Sequence, residues 1–371
     1  MTAKPDRKPG PRTRYRTGDA ELDQQLLAVL EQAGATQDLD QLFEILVSGV
    51  RLAGDDADRL DLKITNAALK EMRSAFRAFA PLRDRPKATI FGSARTARDH
   101  PAYDQTLQLA AALAAEGWMV VTGAGPGIMA AGLEGAGVEN SIGVNIRLPF
   151  ESVPNPYVSG DRLITMKYFF TRKLMLMKES HGFVSMPGGF GTLDETFELL
   201  TLIQTGKASP APIVLLDEPG GTFWDGFIRF VRDVDAHGYI DADDLDLFKI
   251  TDDVAVAVEE LVTFSRNFHS IRWAAGQLVV RHRFPVTDDE LAALDDEFTP
   301  LLTAGRIERS GPLPAEVTDD DHLDLERLVL TADSSKAGWL RRLLDRLNRL
   351  PSVPADAHPL PPRDVEPSLD A

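Results

Sequence analysis

The chain reads as an α/β protein: a doubly wound parallel sheet, preceded by a helical region and followed by a small α+β appendage. Three observations predict it. Between residues 85 and 265, short apolar runs alternate with stretches of helical spacing, the order that builds a parallel sheet. Two of those runs end in glycine-rich turns that open a helix. Before Pro81 the periodicity is helical, and after residue 265 the order changes to β-α-β-β-α.

The elements follow in chain order. Residues 1–20 carry Lys4, Arg7, Lys8, Arg12, Arg14 and Arg16 against Asp6 and Asp19. They read as a disordered basic leader, without the apolar core of a secretory signal. Residues 21–33, 39–53 and 61–79 repeat apolar side chains at helical spacing, so 21–84 is a helical N-terminal region, closed by a linker between Pro81 and Pro86. Strands are expected at 88–91, 118–122, 141–145, 182–186 and 212–216. Helices are expected between them at 103–115, 128–135, 169–178 and 193–205, with closing helices at 223–236 and 254–265. Residues 85–265 thus form a Rossmann-like nucleotide-binding domain.

In the appendage, 266–350, a strand is expected at 278–284, then a helix through Leu302 with Thr287 as a capping-box residue. Further strands fall at 306–309 and 327–332. A basic amphipathic helix over 336–350 is expected to pack on its own sheet. Asp319-Asp320-Asp321 reads as a solvated loop, and the Pro-rich stretch 351–371 as a disordered tail.

Composition excludes several classes. The net charge of −17 argues against a nucleic-acid substrate, because phosphate backbones need clustered Lys and Arg. The absence of cysteine excludes disulfides and thiolate metal sites and fits a cytoplasmic location. The seven histidines are scattered without ligand spacing, so no metal is expected. No apolar stretch reaches the roughly 18 residues a membrane span requires.

The glycine turns carry the chemistry. Met186-Pro187-Gly188-Gly189-Phe190-Gly191-Thr192-Leu193-Asp194-Glu195 follows a buried strand and enters a helix. Glycines let the backbone approach an anion, and the unpaired amides of a helix start, reinforced by its dipole, bind it. The amides of Gly188, Gly189, Gly191 and Thr192, with the Thr192 hydroxyl, are candidate phosphate ligands, and Glu195 lies in the first helical turn. Gly123-Ala124-Gly125-Pro126-Gly127 is a second such turn, in which Gly125 and Gly127 support the site, joined by Ser93. It lacks the Lys-Ser/Thr pair of a Walker loop. Arg172 and Lys173 are charges on an otherwise apolar helix. A guanidinium in that setting needs an anion, either a phosphate or a structural carboxylate.

On these residues the chain resembles the Lonely Guy family, often mislabelled as lysine decarboxylases. The resemblance rests on Arg172-Lys173 followed by Pro187 through Glu195. It also rests on Phe91-Gly92-Ser93-Ala94-Arg95, Gly125-Pro126-Gly127-Ile128-Met129, Asn145-Ile146-Arg147-Leu148-Pro149-Phe150-Glu151, and Leu202-Ile203-Gln204-Thr205-Gly206-Lys207. It spans about residues 85–265. It implies hydrolysis of the N-glycosidic bond of a purine nucleoside 5′-monophosphate, AMP or a cytokinin riboside monophosphate, to free base and ribose 5-phosphate. It implies Arg172 and Glu195 as the essential pair, Lys173 among the nucleotide-binding residues, no cofactor, and a homodimer or larger homo-oligomer. Arg172 would hold the base or its departing nitrogen, or anchor Glu195.

Two rivals stand beside this reading. A nucleotide-binding sensor without turnover would share the whole motif. An NAD-dependent oxidoreductase would need its fingerprint at the first strand, with an acidic residue about 20 positions later, and neither is present.

Overall fold

The computed structural model describes residues 14–147, 155–158, 160–357, 359 and 361. Most of the basic leader, the Leu148-Pro149-Phe150-Glu151 end of one motif, and the end of the Pro-rich tail lie outside the described residues. The chain forms two compact units, Met1–Lys70 and Glu71–Ala371.

The first unit holds α1 (Ala20–Gln32) and α2 (Leu39–Arg51). Asp19 starts α1 by accepting from the amides of Glu21 and Leu22. Leu30, Phe43 and Val47 are its buried core. Helix α3 (Arg59–Phe79) begins in this unit and ends in the second.

The second unit is built on a seven-stranded sheet: β1 (Lys87–Phe91), β2 (Met119–Thr122), β3 (Ser141–Ile146), β4 (Leu163–Met166), β5 (Gly182–Ser185), β6 (Ile213–Leu216) and β7 (Lys249–Thr251). All pairings are parallel, in the order β4-β3-β2-β1-β5-β6-β7. The chain starts in the middle, moves outward to β4, then returns to β5 on the other side of β1. That reversal opens a crevice above the carboxyl ends of β1 and β5.

Helices α4 (Pro101–Ala115), α5 (Ile128–Ala136), α6 (Phe169–Lys178), α7 (Phe190–Gln204), α8 (Phe223–Ala236) and α9 (Val254–Thr263) cover the sheet. The strands sort their side chains by alternation. Met119 and Val121 of β2 face the core shared with α6, α7, α8 and the end of α3, while Val120 faces α4, α5 and α9. The five strands expected from sequence are present. The edge strands β4 and β7 are additions: they are short and only partly buried, so they lack the fully buried runs of β2, β5 and β6.

The C-terminal part is an antiparallel sheet, in the order β10-β11-β9-β8: β8 (Phe268–Ala274), β9 (Gln277–His282), β10 (Leu302–Arg309) and β11 (Glu326–Ala332). It carries α10 (Asp288–Glu297), α11 (Pro314–Asp319) and α12 (Ala337–Asn348). Thr287 and Glu290 form the expected capping box. Strand β8 was not expected, because His269 and Arg272 break its apolar pattern.

One face of this sheet meets α12 through Leu343, Leu344 and Leu347. The other face is ionic, and here the structure adds to the sequence expectation. Asp319 and Asp320 are exposed, as a solvated stretch would be, but Asp319 ends α11, and Asp319 and Asp321 take the two ends of the Arg272 guanidinium at 2.5 and 2.7 Å. Arg281 and the buried Arg327 both bind the buried Glu316, at 2.8 and 3.0 Å. Burial would raise the Glu316 pKa, but these bonds and the Leu313 amide hold it below the usual carboxylate value.

Candidate active site

Three loops leave the carboxyl ends of β1, β2 and β5 and are tied to each other by backbone hydrogen bonds. The Ser93 amide donates to Pro187 O at 3.2 Å, the Ile128 amide to Ser93 O at 3.0 Å, and the Met186 amide to Phe91 O at 2.9 Å. The Ser93 hydroxyl closes its own turn by accepting from the Arg95 amide.

Glycine is required at two positions. Gly127 has φ +65° and ψ −131°, and a side chain there would overlap Ser93 O. A side chain on Gly188 would overlap Thr192 Oγ1 and press on the Ser93 amide at 3.1 Å. Gly189, by contrast, has open space around its Cα.

Helix α7 starts at Gly189, which has no side chain to cap it, and its first backbone bond runs from the Leu193 amide to Gly189 O at 3.1 Å. The amides of Phe190, Gly191 and Thr192 therefore have no partner within the helix, and they gather at its positive end. Thr196 anchors this turn. Its hydroxyl donates to Thr192 O at 2.7 Å and bonds the Ser185 hydroxyl at the end of β5 at 2.8 Å. Thr192 itself is buried against Gly188.

Glu195 sits one turn into α7, 7% exposed, with Gly191 beneath its carboxylate. Burial pushes its pKa up to about 6; Arg172 and Lys173 pull against that shift, while Asp194 and Glu198 add to it. Arg172, on α6, donates from Nε to Val144 O of β3 at 2.9 Å, and its Nη2 fills the space that a side chain on Gly123 would take. The site thus brings together a helix start with open amides, a buried carboxylate with a raised pKa, and a guanidinium.

Lys173 is placed differently from its neighbour. Its ammonium bonds Asp194 at 2.7 Å and Glu198 at 2.6 Å, tying α6 to α7. Burial would lower its pKa, but the two carboxylates hold it above the usual value.

Gly123 was visible in the loop but not singled out. Asn155, whose amide donates to Gly125 O at 3.3 Å, and Glu71, which binds the start of α6, carry no local signal. Among the described residues no group of three or more His, Cys, Asp or Glu could hold a metal ion. No helix there is long and apolar enough to cross a membrane.

Residues 124–261 match the family model described as possible lysine decarboxylase. The chain is 26% identical over 170 residues to the cytokinin riboside 5′-monophosphate phosphoribohydrolase of Mycobacterium marinum, covering 43% of this chain and 87% of that protein. It is 29% identical over 166 residues to the protein of the same name from Mycobacterium tuberculosis, covering 43% and 86%. A probable cytokinin riboside 5′-monophosphate phosphoribohydrolase of Arabidopsis thaliana is 35% identical over 69 residues, covering 19% and 33%. Among solved structures, the molybdenum cofactor carrier protein of Chlamydomonas reinhardtii aligns at 24% identity and a TM-score of 0.34, over 47% of this chain and 94% of that one. The matched segment holds the run from Arg172 to Glu195, and the family model and these relatives support the resemblance to the Lonely Guy family.

Proposed function

We propose that this chain is a nucleoside 5′-monophosphate phosphoribohydrolase, acting on AMP or on N6-substituted adenosine monophosphates such as cytokinin riboside monophosphates. The observation that carries the reading is the buried Glu195, with its pKa near 6, one turn beyond the amide-rich start of α7. The 5′-phosphate binds the amides of Gly189, Gly191 and Thr192, with the loops of Gly125, Gly127 and Ser93 behind them. That grip fixes the ribose over Glu195, so remote binding energy orients the reacting carbon. The bond from C1′ to the base nitrogen breaks, and its electron pair leaves with the base. C1′ passes through an oxocarbenium-like state, which the Glu195 carboxylate stabilises. A water adds to C1′ and gives a proton to Glu195, the departing base takes a proton from solvent, and Glu195 returns its own to solvent. Arg172, beside Glu195, faces the departing base.

The decarboxylase description of the family model fits the side chains poorly. A Schiff-base lysine must lose its proton, and Lys173 is held charged by Asp194 and Glu198. The test is product release from AMP, GMP, CMP and N6-isopentenyl AMP. Free base with ribose 5-phosphate, reduced about 10³-fold in Glu195→Ala, supports the proposal. Nucleotide binding without turnover would leave a sensor.

The proposal includes a homo-oligomer. Beside the site, Phe169, Phe170 and Leu174 of α6 and Phe190 of α7 are 55, 54, 46 and 93% exposed, an apolar surface suited to self-association. Light scattering of wild type and Phe170→Glu tests it. An oligomer that the charge disperses is expected, and a monomeric wild type would refute it.

A further inference from the structure

Helix α6 carries Arg172, yet nothing on the helix itself caps it. Tyr168 precedes it and makes no side-chain cap bond. The cap comes from α3. The Glu71 carboxylate accepts from the Lys167 amide at 3.0 Å, the Tyr168 amide at 3.4 Å and the Thr171 hydroxyl at 2.7 Å. The carboxylate thus holds the two amides just before the helix and the hydroxyl of its third residue, and it sits at the positive end of the dipole.

The first turn of α6 depends on that cap. Ten residues are too few to hold a helix unaided. The buried apolar anchors of α6, Met175 and Leu176, lie in its second half. In the first turn Phe169 and Phe170 are exposed, and Thr171 is the buried contact. Thr171 immediately precedes Arg172, whose guanidinium must reach Val144 O while lying over Gly123. A small shift of this turn therefore moves the guanidinium relative to Glu195.

We propose that Glu71 is a positioning residue for the reaction: through the first turn of α6 it holds Arg172 beside Glu195. This rests on the function proposed above. Glu71 touches no reacting atom and lies before β1, outside the segment that matches the family model.

The experiment compares Glu71→Ala, the isosteric Glu71→Gln and Thr171→Val with wild type in the full chain, with thermal unfolding beside kinetics on AMP and N6-isopentenyl AMP. In Glu71→Ala, kcat should fall about tenfold to a hundredfold while KM stays within about threefold. The acid limb of its pH profile should move above that of wild type, because Glu195 loses the opposing charge of Arg172. Glu71→Gln should be intermediate, since its amide oxygen can still accept the Lys167 amide, and Thr171→Val should follow in the same direction. A folded Glu71→Ala with wild-type kcat would overturn the proposal. So would a loss of kcat that only tracks the folded fraction, with the acid limb unmoved. If wild type hydrolyses no nucleotide, the proposed function fails separately. Positioning is then read from the Glu195 carboxyl titration by carbon-13 NMR, assigned with Glu195→Gln. An upward shift in Glu71→Ala supports it, and an unchanged titration overturns it.

Discussion

Burial makes the Glu195 carboxylate the stronger base that the proposed reaction uses, and it also costs the fold something. Its pKa is near 6 in the folded chain, against an ordinary value of 4.5. Between those values the folded state binds more protons than the unfolded state, so stability falls as pH rises through that window. Above about pH 6 the full penalty applies, on the order of 2 kcal/mol for a shift of this size. Glu195→Gln removes the charge and keeps the shape. It should therefore be more stable than wild type by about 1–2 kcal/mol at pH 8, with the difference gone near pH 4. Urea unfolding at the two pH values measures this, and equal stability at pH 8 would show that the carboxylate is not desolvated. The wild-type kcat/KM should rise with pH along an acid limb near 6, as the ionised form accumulates. The residues of this pair were legible because both lie within one motif run. The Val144 carbonyl and the Glu71 carboxylate that place Arg172 were not, since 28 and about 100 residues separate them from what they bind.

Among the elements, the turn from β5 into α7 separates packing from binding. Gly188 and Gly189 are neighbours of the same type with opposite surroundings. Gly188→Ala drives a methyl into Thr192 and the Ser93 amide. It should lower stability by about 2 kcal/mol and abolish activity with it. Gly189→Ala meets nothing, and its φ of −89° suits any residue, so stability should change by less than about 0.5 kcal/mol. If the phosphate approaches the Gly189 backbone as proposed, KM rises in that variant all the same. Unfolding midpoints and KM values for the pair check this, and a destabilised Gly189→Ala with normal KM would contradict it. The same turn shows why the sheet was readable. Strands β1, β2, β3, β5 and β6 are largely buried runs, and β1, β2 and β5 lead into glycine or proline, whereas the edge strands β4 and β7 are only partly buried and have no such ending. In β8, His269 interrupts the alternation at a register shift.

At the scale of the whole molecule, an ion pair joins the two sheets of the second unit. Arg341 of α12 and Glu260 of α9 are 4% and 6% exposed and bond to each other, with Lys249 on the second Glu260 oxygen at 2.8 Å. Nearby, the backbone of Gly338 lies so close to Asp243 O that no side chain fits, and the Trp339 amide donates to the Asp243 carboxylate at 3.2 Å. The antiparallel sheet is therefore built onto the parallel one, and the two should unfold in one transition. Arg341→Ala leaves Glu260 buried with only Lys249. It should cost about 3 kcal/mol, because an uncompensated buried charge is worse than a missing pair. Asp345 loses its bond to Arg341 in either variant, but the double change Arg341→Met with Glu260→Gln should cost less than the single change, since it leaves no buried charge at position 260. The pH dependence has a fixed sign. Burial would raise the Glu260 pKa, but Arg341 and Lys249 hold it below 4.5, so its contribution is present above that value and is lost as pH falls through the folded pKa. Removing Arg341 should flatten this acid loss. Chemical unfolding followed by far-UV and tryptophan signals decides the matter. The reporters are Trp118, just before β2, and Trp224 of α8 in the parallel part, and Trp273 of β8 and Trp339 of α12 in the antiparallel part. Separate transitions in wild type, or an Arg341→Ala variant as stable as wild type, would mean that the junction does not couple the sheets.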